Sequence, residues 1–403
     1  MELPGLTELP GLTELPGLTE LPVEEKESVS LPSFQKNNKI IVLASNDVND
    51  QSLFLNGLTQ NIVILYDLFE SMGFQSYLLQ HPTQAKEKKE FLKGYRAVSQ
   101  PDIIRQGMRV FMMIEIGMSL DALTRGYLRS IGSRIVKLYL GNILNIDLET
   151  IQNTPSIFFY HHIVGEIDEI WTSPHYAQHL DYASVLNRVD MDRGRVVPYV
   201  WDPCFLTQYG TKETIQWVPP KSWTVQNIVI MDPNISFQKC CFYPILLVEA
   251  FSRTYPEWKG VVHVVNGDRL KLSANAREHF LSSLSLFQTG RILLKPRSTI
   301  HELLKEHRSA CFITHQVNND YNYMTLELMY CNYPILHNSQ GWREYGYHYA
   351  TEEWDKAVGT LHHALALHKD SLSTYRTHAA NLAWKHSIHH PTIQSRWRKI
   401  LSD

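Results

Sequence analysis

The sequence predicts an α/β protein of two doubly wound parallel-sheet domains that face each other across a cleft, preceded by a disordered repeat arm. Three observations predict it. Short apolar runs alternate with segments of helical periodicity, the alternation breaks once near the middle and restarts, and a Pro/Gly hexapeptide array occupies the N-terminus. The length of 403 residues agrees, because a single hydrophobic core stops growing well before that size.

The array is ELPGLT three times from Glu2, then ELP. Pro and Gly in every unit prevent a helix, and the apolar content is too small for a core. The polar stretch VEEKESVSLPSFQKNN follows, so residues 1–36 are expected to be a disordered arm.

The folded chain begins at NKIIVLAS, an apolar run suited to a buried parallel strand. In LTQNIVILYDLFESMG, Leu58, Ile62, Leu65, Phe69 and Met72 lie on one helical face, and Gly73 is placed to end the helix. FQSYLLQ and MRVFMMIE read as strands, Ser119 as the cap of a helix through LDALTRGYLRSI, and RIVKLYL, IDEIWTS and RVVPYV as further strands. The Pro- and Trp-rich stretch VWDPCFLTQYGTKETIQWVPPKSW interrupts this series and reads as an interdomain connection. Alternation then resumes with strands at QNIVIMD, VVHVV, RILLK, SACFITH and PILHN. The helices between them fall at FYPILLVEAFSRTYP, NAREHFLSSLSLF, TIHELLKEH and YNYMTLELMY. From about Glu352 the chain reads as two or three helices.

Composition excludes several classes. With 38 Lys+Arg against 41 Asp+Glu there is no basic excess, so a nucleic-acid partner is not expected. No apolar stretch approaches the ~18 residues of a spanning helix, and no secretory signal pattern follows Met1. The five cysteines form no C-x-x-C, which suggests reduced thiols in a cytosolic-type compartment. G-x-G-x-x-G, the P-loop and G-x-S-x-G are all absent, which disfavours dinucleotide cofactors, P-loop phosphoryl transfer and the simplest hydrolases. The densest histidines, His161–His162 and His386, His389 and His390, do not align as ligands. Neighbours on a strand face opposite ways, and Pro391 breaks the other group, so no metal site is expected.

Three segments carry a resemblance. IDEIWTSPHYAQHL with VVPYVWDP, NIVIMDPNISFQK, and YNYMTLELMYCNYPILHNSQGWREYGYHY together resemble glycosyltransferases of the GT-B fold, in particular the retaining, nucleotide-sugar-dependent group. The Gly141–Asn142 turn, the DEIW strand and the DPNIS…K loop are similar to a bacterial and viral branch of that group. The resemblance implies an acceptor domain over residues 37–205, a nucleotide-sugar donor domain over 206–372, and a C-terminal helix in 373–403 that crosses back to the first domain. It implies a nucleoside-diphosphate-sugar donor, a hydroxyl acceptor on a glycan or glycoprotein, no cofactor, and a cytoplasmic setting (the host cytoplasm for a viral enzyme). Association with a membrane surface stays open.

Residues carry over one by one. Glu327 matches the second of two family glutamates, which holds the donor ribose; eight residues earlier stands Asn319, beside Asp320, where the first would be. Lys239, after the first strand of the second half, is placed to neutralise a diphosphate leaving group, and Arg297 to contact base or phosphate. Asn322, Tyr323, Met324 and Thr325 open the Glu327 helix, where backbone amides bind phosphate. In the first half, Asn56 and Gly57 enter a helix after the first strand, with Asp47 and Asp50 in the same loop; Glu115 ends a strand at the cleft rim. His162 is a candidate sugar contact through the resemblance. Two rival readings remain at this level: a nucleotide-sugar epimerase of the same fold, and a non-catalytic carbohydrate-binding or virion-associated protein.

Overall fold

The computed structural model describes residues 39–402 apart from 46–47, 49–51, 55–56, 81–91, 118–119, 158–161, 163–164 and 210–211. The repeat arm, Asp47, Asp50, Asn56 and Ser119 therefore lie outside the described residues.

The apolar runs form strands buried on both faces, as parallel sheets covered by helices require. The first sheet contains β1 (Ile40–Ala44), β2 (Gln75–Leu79), β3 (Ala97–Val98), β4 (Val110–Glu115), β5 (Arg134–Tyr139), β6 (Glu169–Thr172) and β7 (Gly194–Val196). Their order is β3-β2-β1-β4-β5-β6-β7, and every neighbouring pair is parallel. The second sheet contains β8 (Ile228–Ile230), β9 (Val262–Val264), β10 (Ile292–Leu294), β11 (Cys311–Ile313), β12 (Ile335–His337) and β13 (Tyr347–His348). Its order is β10-β9-β8-β11-β12-β13, again parallel throughout. In both sheets the strand order reverses beside the first strand, at β1/β4 and at β8/β11. A crevice opens at the carboxyl ends of such strands.

The helix Gly57–Ser71 follows β1 and buries Ile62, Leu65 and Phe69 from the anticipated face. Gly73 ends it at φ 89°, a left-handed conformation that costs glycine little. Other local expectations change. The helix Ala122–Ser130 is capped by Asp121, whose carboxylate accepts from the Thr124 N–H at 2.6 Å, so Ser119 lies too far upstream to be its cap. β3 and the helix Gln100–Arg105 have no counterpart in the reading, because RAVSQP offers no apolar run. The single helix anticipated at NAREHFLSSLSLF is instead three short turns, Ala276–Phe280, Leu281–Ser283 and Ser285–Gln288. There the Ser282 and Ser283 hydroxyls donate to backbone carbonyls of the preceding turn and compete with helix propagation.

The chain ends in the helices Trp354–Ala366, Leu372–His386 and Pro391–Ser402. Proline opens the last one, where its missing N–H is not needed. Although it follows the second sheet in sequence, this helix packs on the first. Trp397 is fully buried, with its ring 5.4 Å from Phe69 and 5.6 Å from Trp171. One apolar cluster runs from Ile41 and Phe69 through Tyr199, Trp201 and Tyr323 to Phe312 and Ile335, so the two sheets share a core. Among the described residues no helix is long and apolar enough to cross a membrane.

Because Trp397 fills the junction of this helix with the first sheet, Trp397→Ala is expected to cost about 3–5 kcal/mol of unfolding free energy. Denaturant unfolding measures this; a loss below ~1 kcal/mol would show that the helix contributes little to the first domain.

Candidate functional site

One wall of the crevice is built by the loop after β8. Asn234 takes a left-handed φ of 54°, donates its N–H to the Lys239 carbonyl at 3.1 Å, and accepts from the Cys241 N–H at 2.8 Å through its side chain. A backbone bridge between Lys239 and Gln316 ties the loop to the segment after β11. Behind it, the fully buried Asp232 accepts hydrogen bonds from the Thr314 hydroxyl (2.7 Å), the His315 N–H (3.1 Å) and the Gln316 amide (2.9 Å). Burial pushes the Asp232 carboxyl up to about 7 against these bonds. Burial likewise lowers the Lys239 ammonium, and the Asp232 charge opposes that shift. The loop therefore holds the Lys239 amine in place over the carboxyl edge of the second sheet.

The helix Tyr323–Tyr330 forms the next part of that wall. Asn322 caps it, its side chain accepting from the Met324 N–H at 3.1 Å, and Tyr323 donates its hydroxyl across the crevice to the Val200 carbonyl at 2.8 Å. Met324 and Thr325 are buried in the helix's first turn. Glu327 is buried against the first domain, where it accepts from the Gln60 amide at 3.2 Å. Burial raises its carboxyl to about 7, opposed by that hydrogen bond. Asn319 is held by the Tyr176 hydroxyl and donates to Gln316 at 2.7 Å.

The opposite wall comes from the ends of β4 and β5 and from the turn that follows. Lys137 is 2% exposed and stands in register with Glu115, itself 0% exposed. Burial lowers the Lys137 ammonium to about 8, with Glu115 pulling the other way; burial raises Glu115, with Lys137 opposing. The Gly141–Asn142 turn starts the helix Ile143–Asn153, and Asn142 caps it by accepting from the Asn145 N–H at 3.1 Å. A Cβ on Gly141 would meet the terminal methyl of Ile146 at 2.9 Å, so a larger residue in the turn would displace that side chain. His175 lies against Tyr321, with ring centres 4.7 Å apart and the rings tilted by 41°, and its Nδ1 is buried without a hydrogen bond. Burial first, then the Lys239 charge, lowers its pKa to about 3, so the ring is neutral.

These walls enclose a cavity of about 330 Å³. Lys137, Tyr139, Gly141, His175 and Gly57 line it from the first domain, and Lys239, Asn319, Asn322 and Tyr323 from the second. Among the described residues on its surface there are two lysines and no carboxylate. Contacts across the crevice hold the two sides together: Asn142 donates to the Asn318 carbonyl at 2.9 Å, and Glu149 accepts from the Ser236 hydroxyl and the Phe237 N–H, each at 2.8 Å.

Of the residues singled out from sequence, Gly57, Lys239, Asn322 and Tyr323 share this cavity, whereas Met324 and Thr325 lie behind its surface. Glu115 sits one residue before the lining Ile116, with its Oε1 accepting from the Leu120 N–H at 3.4 Å. Glu327 faces Gln60 rather than the cavity surface. Arg297 is exposed in the loop after β10 and does not line the cavity. His162 is locked in a buried network away from its surface, with Nδ1 2.9 Å from the Tyr139 hydroxyl and Nε2 3.0 Å from Asp147. Sequence reasoning missed Lys137 and His175. A lysine inside the otherwise apolar run RIVKLYL was the available signal for the first; nothing local marked the second.

Two parallel sheets of seven and six strands facing across a cleft, with a C-terminal helix returned to the first, make the GT-B architecture. In fold the chain is similar to a glycosyltransferase from Rickettsia africae (TM-score 0.55, 12% identity, covering 91% of this chain and 98% of that one). It is also similar to OtsA in its apo form (TM-score 0.57, 12% identity, 91% and 99%) and to Anabaena HepE, whose structure is a complex with UDP-glucose (TM-score 0.54, 8% identity, 90% and 99%). No curated protein matches in sequence. The chain belongs to the family described as "Protein of unknown function (DUF2827)", whose model matches residues 41–401.

The raised Glu327 carboxyl has a pH signature. Its folded pKa of about 7 exceeds the ordinary 4.5, so the native state retains a proton that the unfolded chain releases, and this group's contribution to stability falls as pH rises through that window. Glu327→Gln keeps an acceptor for Gln60 and removes the titration. The variant is expected to melt higher than wild type at pH 8 and close to it at pH 4.5. An equal offset at both pH values in thermal melts would contradict the assignment.

Proposed function

We propose that the protein is a metal-independent glycosyltransferase that moves a sugar from a nucleoside-diphosphate-sugar donor to a hydroxyl on a glycan or glycoprotein, with retention of configuration. The observation that carries the reading is Lys239, held at the carboxyl edge of the second sheet in a cavity shared with the first. A cavity with cations and no carboxylate on its described surface suits a diphosphate. It does not suit an epimerase, which needs carboxylate acid and base groups at the sugar.

In this reading Asn322 and Tyr323, which line the cavity at the positive end of the helix Tyr323–Tyr330, meet the diphosphate. The bond from the anomeric carbon to the diphosphate oxygen breaks, the acceptor oxygen bonds to that carbon on the same face, and the acceptor's proton passes to the departing phosphate oxygen. Lys239 neutralises the charge that grows on that oxygen. No protein nucleophile is needed, which agrees with a described surface that offers Tyr, Asn and a neutral His175 but no carboxylate or thiol. The D-M-D triplet at Asp190–Asp192, a pattern that can hold a metal beside a diphosphate, forms an exposed turn before β7 and does not line the cavity. In this reading the Glu327 carboxylate turns from Gln60 to the donor ribose, so donor binding and the contact between helix 57–71 and helix 323–330 are linked.

Lys239→Ala is expected to lower turnover by one to three decades while weakening nucleoside-diphosphate affinity by less, since the charge it meets grows in the transition state. Wild-type activity should persist in EDTA. Equal loss in affinity and turnover, or activity restored only by a divalent ion, would contradict the role given to Lys239.

A further inference from the structure

The donor reading uses Lys239 and leaves the second cation of the cavity unexplained. Lys137 is 2% exposed, yet it lines the cavity from the first-domain side. Its ammonium lies 5.7 Å from the centre of the Tyr139 ring and makes no hydrogen bond or ion pair with a described residue. The carboxylate in register with it, Glu115, does not close on it: Glu115 Oε2 is buried with no hydrogen-bond partner, and its Oε1 turns to the Leu120 N–H. Nor does Arg125 compete for the cavity, since it is paired with Glu166 and donates to the Leu120 carbonyl. A buried cation with free donors is costly to maintain unless an anion completes it.

A second feature converges on the same place. The helix Ile143–Asn153 runs for 11 residues, and its N-terminus, at Gly141, Ile143 and Ile146, lines the cavity beside Lys137. The first amides of a helix and the positive end of its dipole favour an anion. Asn142 satisfies the Asn145 N–H, and its own side-chain amide is spent on the Asn318 carbonyl, so the turn is rigid.

We infer that Lys137 and the N-terminus of helix 143–153 bind an anionic group carried by the acceptor, so that the acceptor is a sugar bearing a phosphate or a carboxylate rather than a neutral sugar. This rests on the donor reading above, which gives the opposite wall to the diphosphate. Lys239 and Lys137 then divide the cavity's two anionic groups, one from each substrate, and the acceptor's anion sets which hydroxyl faces the donor carbon.

Calorimetric titration of the full chain tests this with glucose 6-phosphate, glucuronate, glucose and inorganic phosphate, each with and without the tightest-binding nucleoside diphosphate. Wild type is expected to bind at least one of the two charged sugars about 10- to 100-fold more tightly than glucose, as a charge-assisted contact provides. Glucose 6-phosphate against glucuronate tells phosphate from carboxylate, and inorganic phosphate should compete if phosphate is the group. Lys137→Met should abolish the preference while leaving nucleoside-diphosphate affinity near wild type in protein shown to be folded by its thermal melt; Lys137→Arg, which keeps a charge beside Glu115, should retain part of it. Equal binding of charged and neutral sugars by wild type, or a preference that survives in Lys137→Met, overturns the inference. So does a loss of nucleoside-diphosphate affinity in Lys137→Met, which would assign Lys137 to the donor. Failure of every nucleoside diphosphate to bind wild type would instead defeat the donor reading, a separate result.

Discussion

Two ammonium groups share one cavity whose described surface carries no carboxylate, and the architecture around them follows from keeping both there. Lys239 is set by the loop after β8 and Lys137 by the end of β5, so each belongs to a different sheet. Desolvation lowers both, and the charge of a buried carboxylate behind each, Asp232 or Glu115, opposes that shift. Neither lysine makes an ion pair with its supporting carboxylate among the described contacts. An interior that holds two amines without pairing them to a carboxylate is prepared for an anion from outside, which would restore their charge.

The two-domain construction supplies what a single sheet cannot. Each sheet reverses its strand order once, and each reversal opens a crevice at the carboxyl edge. Setting the two edges opposite one another places the switch points on facing walls. The shared apolar cluster and the Glu149–Ser236, Asn142–Asn318 and Gln60–Glu327 contacts close them into one cavity. Trp397 anchors the C-terminal helix to the first sheet through apolar contact.

Much of this was legible in the sequence where local chemistry sets structure. The parallel strands appear as apolar runs because both faces are covered, and Gly73 marks the end of its helix because the chain needs a left-handed residue there. Capping was less legible: Ser119 and Asp121 both suit a cap, and only the position of the first helical residue decides between them. The site was read unevenly for a related reason. Lys239 and Tyr323 follow the ends of strands, where topology alone points to the crevice, but the direction of a side chain depends on the other domain. Glu327 turns to Gln60, a partner 267 positions away, and His162 turns to Asp147 and Tyr139, so both leave the cavity surface for reasons no local pattern contains. Lys137 was hidden by the opposite effect, because a strand assignment for RIVKLYL absorbs the one residue that does not fit it.

The central claim is that the cavity between the sheets accepts a diphosphate. It is tested most directly by titrating the full chain with ADP, GDP, CDP, UDP and dTDP at low and at raised salt. The account predicts that at least one of them binds with one-to-one stoichiometry, that the corresponding monophosphate binds more weakly, and that affinity falls as salt screens Lys239. A folded protein that binds none of the five at either salt concentration would contradict it.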